Sequence, residues 1–210
     1  MPNSVPTITV LAGTNGAGKS SIGGARLEAA RTPFYNPDVE TQALIAANPG
    51  MTLNEANAAA WRIGKERLEA AIAERHRFNF ESTLGGTTIT RLLAKAHDSG
   101  LRLRIWYCGL NDAELHIARV RARVRRGGHD IPTTKIRERY DASRLNLIRL
   151  LPDLTELRLY DNSREADLVA GDAPEPILIV HTEQGRIVSS CAPATTPEWA
   201  KPIFAAVMKL

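Results

Sequence analysis

Gly13-Thr14-Asn15-Gly16-Ala17-Gly18-Lys19-Ser20 fits G-x-x-x-x-G-K-[ST] at every fixed position, the pattern of a phosphate-binding loop. The spacing has a physical reason. Glycines let successive backbone N–H groups turn inward as a nest for phosphate oxygens, and the helix that follows adds the partial positive charge of its N-terminus. Before the loop, Thr7–Ala12 is a β-branched run that reads as a buried strand. After it, Lys19–Ala30 reads as a helix closed by Thr32-Pro33. Strand, loop and helix therefore stand in the order that phosphate binding needs. Gly13, Asn15, Gly16, Ala17, Gly18, Lys19, Ser20 and Ser21 are the expected nucleotide-binding residues. Lys19 would reach the β- and γ-phosphates and the Ser20 hydroxyl would hold Mg²⁺, so the expected cofactors are ATP and Mg²⁺.

Outward from the loop, strand and helix patterns alternate. Phe34-Tyr35 is a short strand leading to Asn36-Pro37-Asp38, and Asn54–Arg75 is a long alanine-rich helix with Trp61, Ile63, Leu68 and Ile72 as apolar anchors. Arg77–Ser82 reads as a strand, Thr87–His97 as a helix, Leu101–Cys108 as a strand with Arg102 and Arg104 on a solvated side. Asp112–Arg126 and Thr133–Leu150 read as helices and Glu156–Tyr160 as a strand. Connections this long do not make hairpins, so the pattern argues for an α/β fold with a mainly parallel sheet flanked by helices. Ligands of such sheets bind outside the carboxyl ends of the strands. Past Tyr160 the pattern changes to a hairpin, Ile177–His181 and Arg186–Ser190 around Glu183-Gln184-Gly185, and a terminal helix at Glu198–Met208. The expectation is one domain over 1–210, a P-loop NTPase core at about 7–163 with a small hairpin-plus-helix addition at about 164–210. Trp199 and Phe204 read as core cover.

Composition narrows the class. With 43% hydrophobic and 24% charged residues in 210, the chain falls among soluble globular proteins. Its apolar stretches, such as Ile177–Val180, are far below the roughly 20 residues of a membrane span. Met1–Pro6 has neither the basic start nor the apolar centre of a signal peptide. Cys108 and Cys191 are too few for a disulfide framework and lack metal-ligand spacing. A cytoplasmic protein with no membrane partner is the expectation. The net charge of +4 suits anionic ligands, and five arginines crowd into Arg119–Arg126, where guanidinium forks suit phosphate.

The loop's wording resembles that of ABC-transporter ATPases, but the chain carries neither their LSGGQ-type signature nor an apolar strand ending in Asp-Glu. A phosphoryl-transfer enzyme needs a base, a carboxylate for metal or acceptor, and cations. Asp38, 19 residues past Lys19, should emerge beside the loop; spacing alone leaves it either a base or a helix cap. Glu81 stands at a strand's carboxyl end, a functional position rather than a plain surface charge. On Asp112–Arg126, Ile117, Val120 and Val124 form the core stripe, with Arg119, Arg123 and Arg126 on one flank and Arg121 and Arg125 on the other. Gly127-Gly128-His129-Asp130-Ile131-Pro132 then breaks the chain as a mobile lid or a plain helix–helix turn would.

The series from the loop through Asn36-Pro37-Asp38, Phe78-Asn79-Phe80-Glu81-Ser82-Thr83-Leu84-Gly85-Gly86, Gly127-Gly128-His129-Asp130-Ile131-Pro132 and Tyr160-Asp161-Asn162-Ser163 resembles the zeta-toxin-like P-loop kinases from about Thr7 to Ser163. Members of that family phosphorylate the 3′-hydroxyl of UDP-N-acetylglucosamine and are held inactive by an antitoxin. The resemblance implies Lys19 and Ser20 for ATP and Mg²⁺, Asp38 as base, Glu81 and Thr83 as acceptor contacts, and Arg119 as a phosphate-binding arginine. His129 falls nearest the family's lid arginine, with Arg126 or Arg125 as substitutes. It implies a small-molecule hydroxyl acceptor and a separate antitoxin chain. The alternatives are a P-loop phosphotransferase for another metabolite or antibiotic, and an NTP-dependent switch or nucleic-acid-binding ATPase. Against the last stands an aromatic content of 5%, none of it interleaved with Arg119–Arg126, which leaves no stacking platform there.

Overall fold

The computed structural model describes residues 5–20, 22, 34–164 and 175–210. The helix expected over Lys19–Ala30 falls outside these residues except for its first turn, as does Ser21. Six strands form one sheet: β1 (Thr7–Ala12), β2 (Phe78–Ser82), β3 (Arg102–Gly109), β4 (Glu156–Asp161), β5 (Ile177–Glu183) and β6 (Arg186–Ser190), in the order β2-β1-β3-β4-β5-β6. The first four run parallel, with Ile8 paired to Phe78 on one side and Leu103 on the other, and Arg104 to Glu156. β5 and β6 follow antiparallel. β1 sits inside this parallel block, which explains its unbroken apolar run: both of its faces are covered, and Ile8, Val10, Leu11 and Ala12 are all buried.

Among the described residues the helices are α1 (Pro37–Ala47), α2 (Leu53–Ala73), α3 (Thr87–Asp98), α4 (Ala113–Arg125), α5 (Thr133–Leu150) and α6 (Lys201–Val207). Their starts are written locally. Asn36 caps α1, Thr52 and Glu55 form a reciprocal capping box on α2, and Asp112 caps α4. Leu68 and Ile72 of α2, Leu93 of α3, Leu147 and Leu150 of α5, and Ile203 and Phe204 of α6 close one core with Ile8, Val10, Leu103, Ile105 and Leu157 of the sheet. Ile117 and Val120 of α4 pack separately on Ile131 and Ile136, as their stripe requires.

Two expectations change. Phe34-Tyr35 is no strand: Tyr35 makes a single bridge to Phe80, and α1 begins two residues later because Asn36-Pro37 starts a helix. Trp61 is no core anchor, being 47% exposed; the buried stripe of α2 is Ala56, Ala60, Leu68, Ala71 and Ile72. The expected C-terminal hairpin continues the main sheet beyond β4. Trp199 seals that junction. It is buried, its indole N–H donates to Asp161 Oδ1 at 3.0 Å, and a methyl at Gly109 would lie 2.3 Å from its ring.

Candidate active site

The loop lies where β1 ends between β2 and β3, and its shape is set by contacts from several elements. Gly13 donates its N–H to the Ser82 carbonyl at 3.2 Å. Its φ of 138° and a would-be Cβ 2.2 Å from the Cys108 carbonyl leave room for glycine alone. The Cys108 thiol donates to the Ala17 carbonyl at 3.1 Å, and burial pushes its pKa up to about 12, which keeps the proton that makes this bond. Asn162, just past β4, donates to the same carbonyl at 2.9 Å. From α4, His116 Nδ1 meets the Asn15 carbonyl at 2.9 Å. Burial pushes His116 down to about 4, so a neutral ring with its proton on Nδ1 makes the bond. From α5, Arg139 Nη1 donates to Asn15 Oδ1 at 2.8 Å, and burial lowers its pKa against the opposing pull of Asp38.

Lys19 is 93% hidden from solvent, with 7% exposed. Its ammonium donates to the Gly13 carbonyl at 2.9 Å and pairs with Glu81 Oε1 at 3.2 Å. Glu81 Oε2 accepts from Asn36 Nδ2 at 3.3 Å. Glu81 therefore faces the loop lysine as well as the cavity beside it. Asn36 is the α1 cap, accepting from the Asp38 and Val39 N–H groups. That removes the capping alternative for Asp38 and leaves its carboxylate free: Oδ2 lies 3.3 Å from Arg123 Nη1 and Oδ1 3.7 Å from His129 Nε2. Arg123 also donates to the His129 carbonyl at 3.2 Å, which pins the Gly127–Pro132 segment over Asp38.

A cavity of about 580 Å³ opens here, lined by Asp38, Glu81, Thr83, His129 and Arg139 among others. It lies within the roughly 300–1,000 Å³ of small-molecule sites. Thr83 Oγ1 accepts from the Gly85 N–H at 3.3 Å, holding the turn after β2. Ser20 is exposed at the first turn after the loop. Arg119 points elsewhere, donating to the Arg164 carbonyl at 3.0 Å. Arg126 is the exposed C-cap residue of α4, outside the cavity lining; the arginines brought to the site are Arg123 and Arg139. Arg123 was visible as one of a flank of three. Arg139 and His116 carry no local signal, because each meets the loop from more than 100 residues away. Among the described residues no cluster of three or more His, Cys, Asp or Glu forms a metal site. The exposed Ser20 hydroxyl just after the loop nonetheless fits Mg²⁺, which takes one or two protein oxygens and completes its shell with waters and phosphate oxygens.

No family model matches the chain. An uncharacterized protein of Haemophilus influenzae is 32% identical over 128 residues, 61% of this chain and 88% of that one, and the chain belongs to the same family as that protein. Among solved structures, the AvrRxo1-ORF1:-ORF2 complex with ATP matches at 16% identity and a TM-score of 0.67, over 98% of this chain and 64% of that one. The chain thus spans less than two thirds of that relative. The PezAT chromosomal toxin–antitoxin system of Streptococcus pneumoniae matches at 13% identity and a TM-score of 0.57, over 77% of this chain and 69% of that one. These likenesses show the fold. The chain has the same mixed α/β fold, a mostly parallel six-stranded sheet flanked by helices. No helix among the described residues is long and apolar enough to cross a membrane.

Proposed function

We propose that the chain is an ATP-dependent kinase that transfers the γ-phosphoryl group to a hydroxyl of a small molecule. The observation that carries this reading is Asp38: relieved of capping by Asn36, its carboxylate lines one cavity with Glu81, the partner of the loop lysine. A hydroxyl is a poor nucleophile, and a carboxylate at hydrogen-bond distance orients it and accepts its proton as the new P–O bond forms. The loop N–H groups hold the phosphates while Lys19 exchanges Glu81 for phosphate oxygens. Arg123 and Arg139 supply positive charge beside the cavity, with Arg119 and Arg126 entering only if the chain around them moves. Ser20 would hold Mg²⁺, whose chemistry is to neutralise the phosphate charge.

Within this reading UDP-N-acetylglucosamine is the first acceptor to try, on the strength of the motif resemblance. A separate chain that blocks the cavity is the matching partner, a reading supported by a toxin–antitoxin system of the same fold. The deciding experiment incubates the protein with Mg-ATP and a panel of sugar nucleotides and seeks, by mass spectrometry, a product heavier by one phosphoryl group. Lys19→Ala is the control, expected to form none. ATP consumed with every acceptor unchanged would reject a sugar-nucleotide acceptor and move the search to other hydroxyl compounds.

A further inference from the structure

One wall of the cavity contains a strained turn that the chemistry above does not use. Between β2 and α3, Leu84 is buried with φ at 51°, in the left-handed region that a leucine rarely adopts. Thr83, Leu84, Gly85 and Gly86 all line the cavity. Within the turn, the Leu84 N–H donates to Ser82 Oγ at 3.0 Å. Its carbonyls are taken up by α5. Ser143 Oγ donates to the Thr83 carbonyl at 2.6 Å and Asn146 Nδ2 to the Leu84 carbonyl at 2.7 Å. Asn146 Oδ1 accepts from Arg149 at 3.2 Å, which leaves its NH₂ group for the turn. Behind Ser143 the Tyr107 hydroxyl lies 2.9 Å away. Burial pushes the Tyr107 pKa up, so that hydroxyl stays protonated and donates, and the Ser143 proton is left for Thr83.

Ser143 and Asn146 are both buried, where a polar group without a partner is costly. They stand four and seven residues after Arg139, on one face of α5. Arg139 belongs to the phosphate loop. Its guanidinium meets Asn15 Oδ1, and its carbonyl accepts from the Thr14 hydroxyl at 3.3 Å. Its stem also passes the turn, since a Cβ at Gly85 would lie 2.6 Å from Arg139 Cγ. One helix face therefore grips the phosphate loop at one end and the Thr83–Gly86 turn along the rest. We infer that Ser143 and Asn146 are positioning residues that fix this turn relative to the phosphate loop and so align the acceptor hydroxyl with the γ-phosphate. Neither lines the cavity, so both act through the turn. The inference rests on the kinase reading above and adds the residues that align its two substrates.

The test compares wild type with Ser143→Ala and Asn146→Ala, and takes Tyr107→Phe as control. The control deletes a buried hydroxyl from the same chain of bonds but keeps the Ser143 bond to Thr83. Each protein is read by urea unfolding, by amide hydrogen exchange resolved to peptides, and by turnover with Mg-ATP and UDP-N-acetylglucosamine as the acceptor probe. In Ser143→Ala and Asn146→Ala, exchange over residues 82–86 should quicken by about tenfold or more, while residues 13–20 exchange as in wild type. Their kcat should fall by about 10-fold to 10²-fold, the effect of a small misalignment, with KM for ATP unchanged. Tyr107→Phe should lose stability yet keep the wild-type exchange of the turn and the wild-type kcat. Unchanged turn exchange in both alanine variants would overturn the assignment. So would faster exchange at wild-type kcat, or a Tyr107→Phe kcat as low as that of Ser143→Ala, which would make the effect one of stability. Wild type that binds ATP but forms no product would count against the kinase reading alone. Exchange over residues 82–86 would then still decide whether α5 holds the turn.

Discussion

The two sides of the cavity are held in different ways. The loop is fastened by buried bonds from the Cys108 thiol and Asn162, and by part-buried ones from the neutral His116 ring and Arg139. Across from it, Asp38 is held by Arg123 and His129, and the Asp38 and Arg123 side chains are 43% and 38% exposed. Buried hydrogen bonds are strengthened by their low-dielectric surroundings and keep a fixed geometry. Half-exposed ion pairs are screened and weak. In the proposed kinase, a site divided in this way would have a phosphate nest built before the ligand arrives and a base whose partners can let go when an acceptor enters.

That division is open to test. The largest effect should come from Asp38→Asn, which keeps the side chain's shape but removes the base. Transfer should fall by about 10²–10⁴-fold, while ATP, held on the other side, still binds in calorimetry. Loss of ATP binding in that variant would mean that the two sides are one unit.

His116 provides the next effect. In the fold its ring stays neutral down to about pH 4, while in the unfolded chain it takes a proton below about 6.5. The unfolded chain therefore binds more protons between these values, and stability falls as pH falls through that window. It is full above pH 6.5 and declines toward pH 4, by about 3 kcal/mol for a shift of this size. Urea unfolding across the window should show that slope in wild type, and His116→Gln should flatten it. An unchanged slope would show that the loop is not fastened through a neutral ring.

The smallest effect belongs to Arg123→Gln, which should change global stability by less than about 1 kcal/mol, and by less still at high salt. Urea unfolding at low and high salt reads both. A loss as large as that of a buried pair, several kcal/mol, would make the Asp38 side as rigid as the loop and erase the contrast.

Much of this architecture was legible before folding. The order of β1 to β4, the stripe Ile117, Val120 and Val124, and the boundaries of α5 follow from periodicity and from breakers such as Gly127-Gly128, all properties of neighbours in the chain. Trp61 misled because an apolar residue at helical spacing looks the same whether its face meets a core or a cavity. Asp38 was ambiguous for a related reason: cap and base ask for the same residue type, and only the Asn36 side chain, folded back onto the Asp38 N–H, separates them.

Eight consecutive residues were enough to name a phosphate-binding loop, because a nest of N–H groups and a helix N-terminus are made by adjacent backbone. The cations that stand around it were not nameable in that way. Arg139 reaches Asn15 across 124 positions and Arg123 reaches Asp38 across 85, while Arg126, three residues from Arg123, ends exposed at a helix cap. Which arginine of a cluster meets the site depends on how one helix is rotated against another. That rotation is set by the packing of Ile117 and Val120 on Ile131 and Ile136, a contact between segments that exists only once the chain has folded.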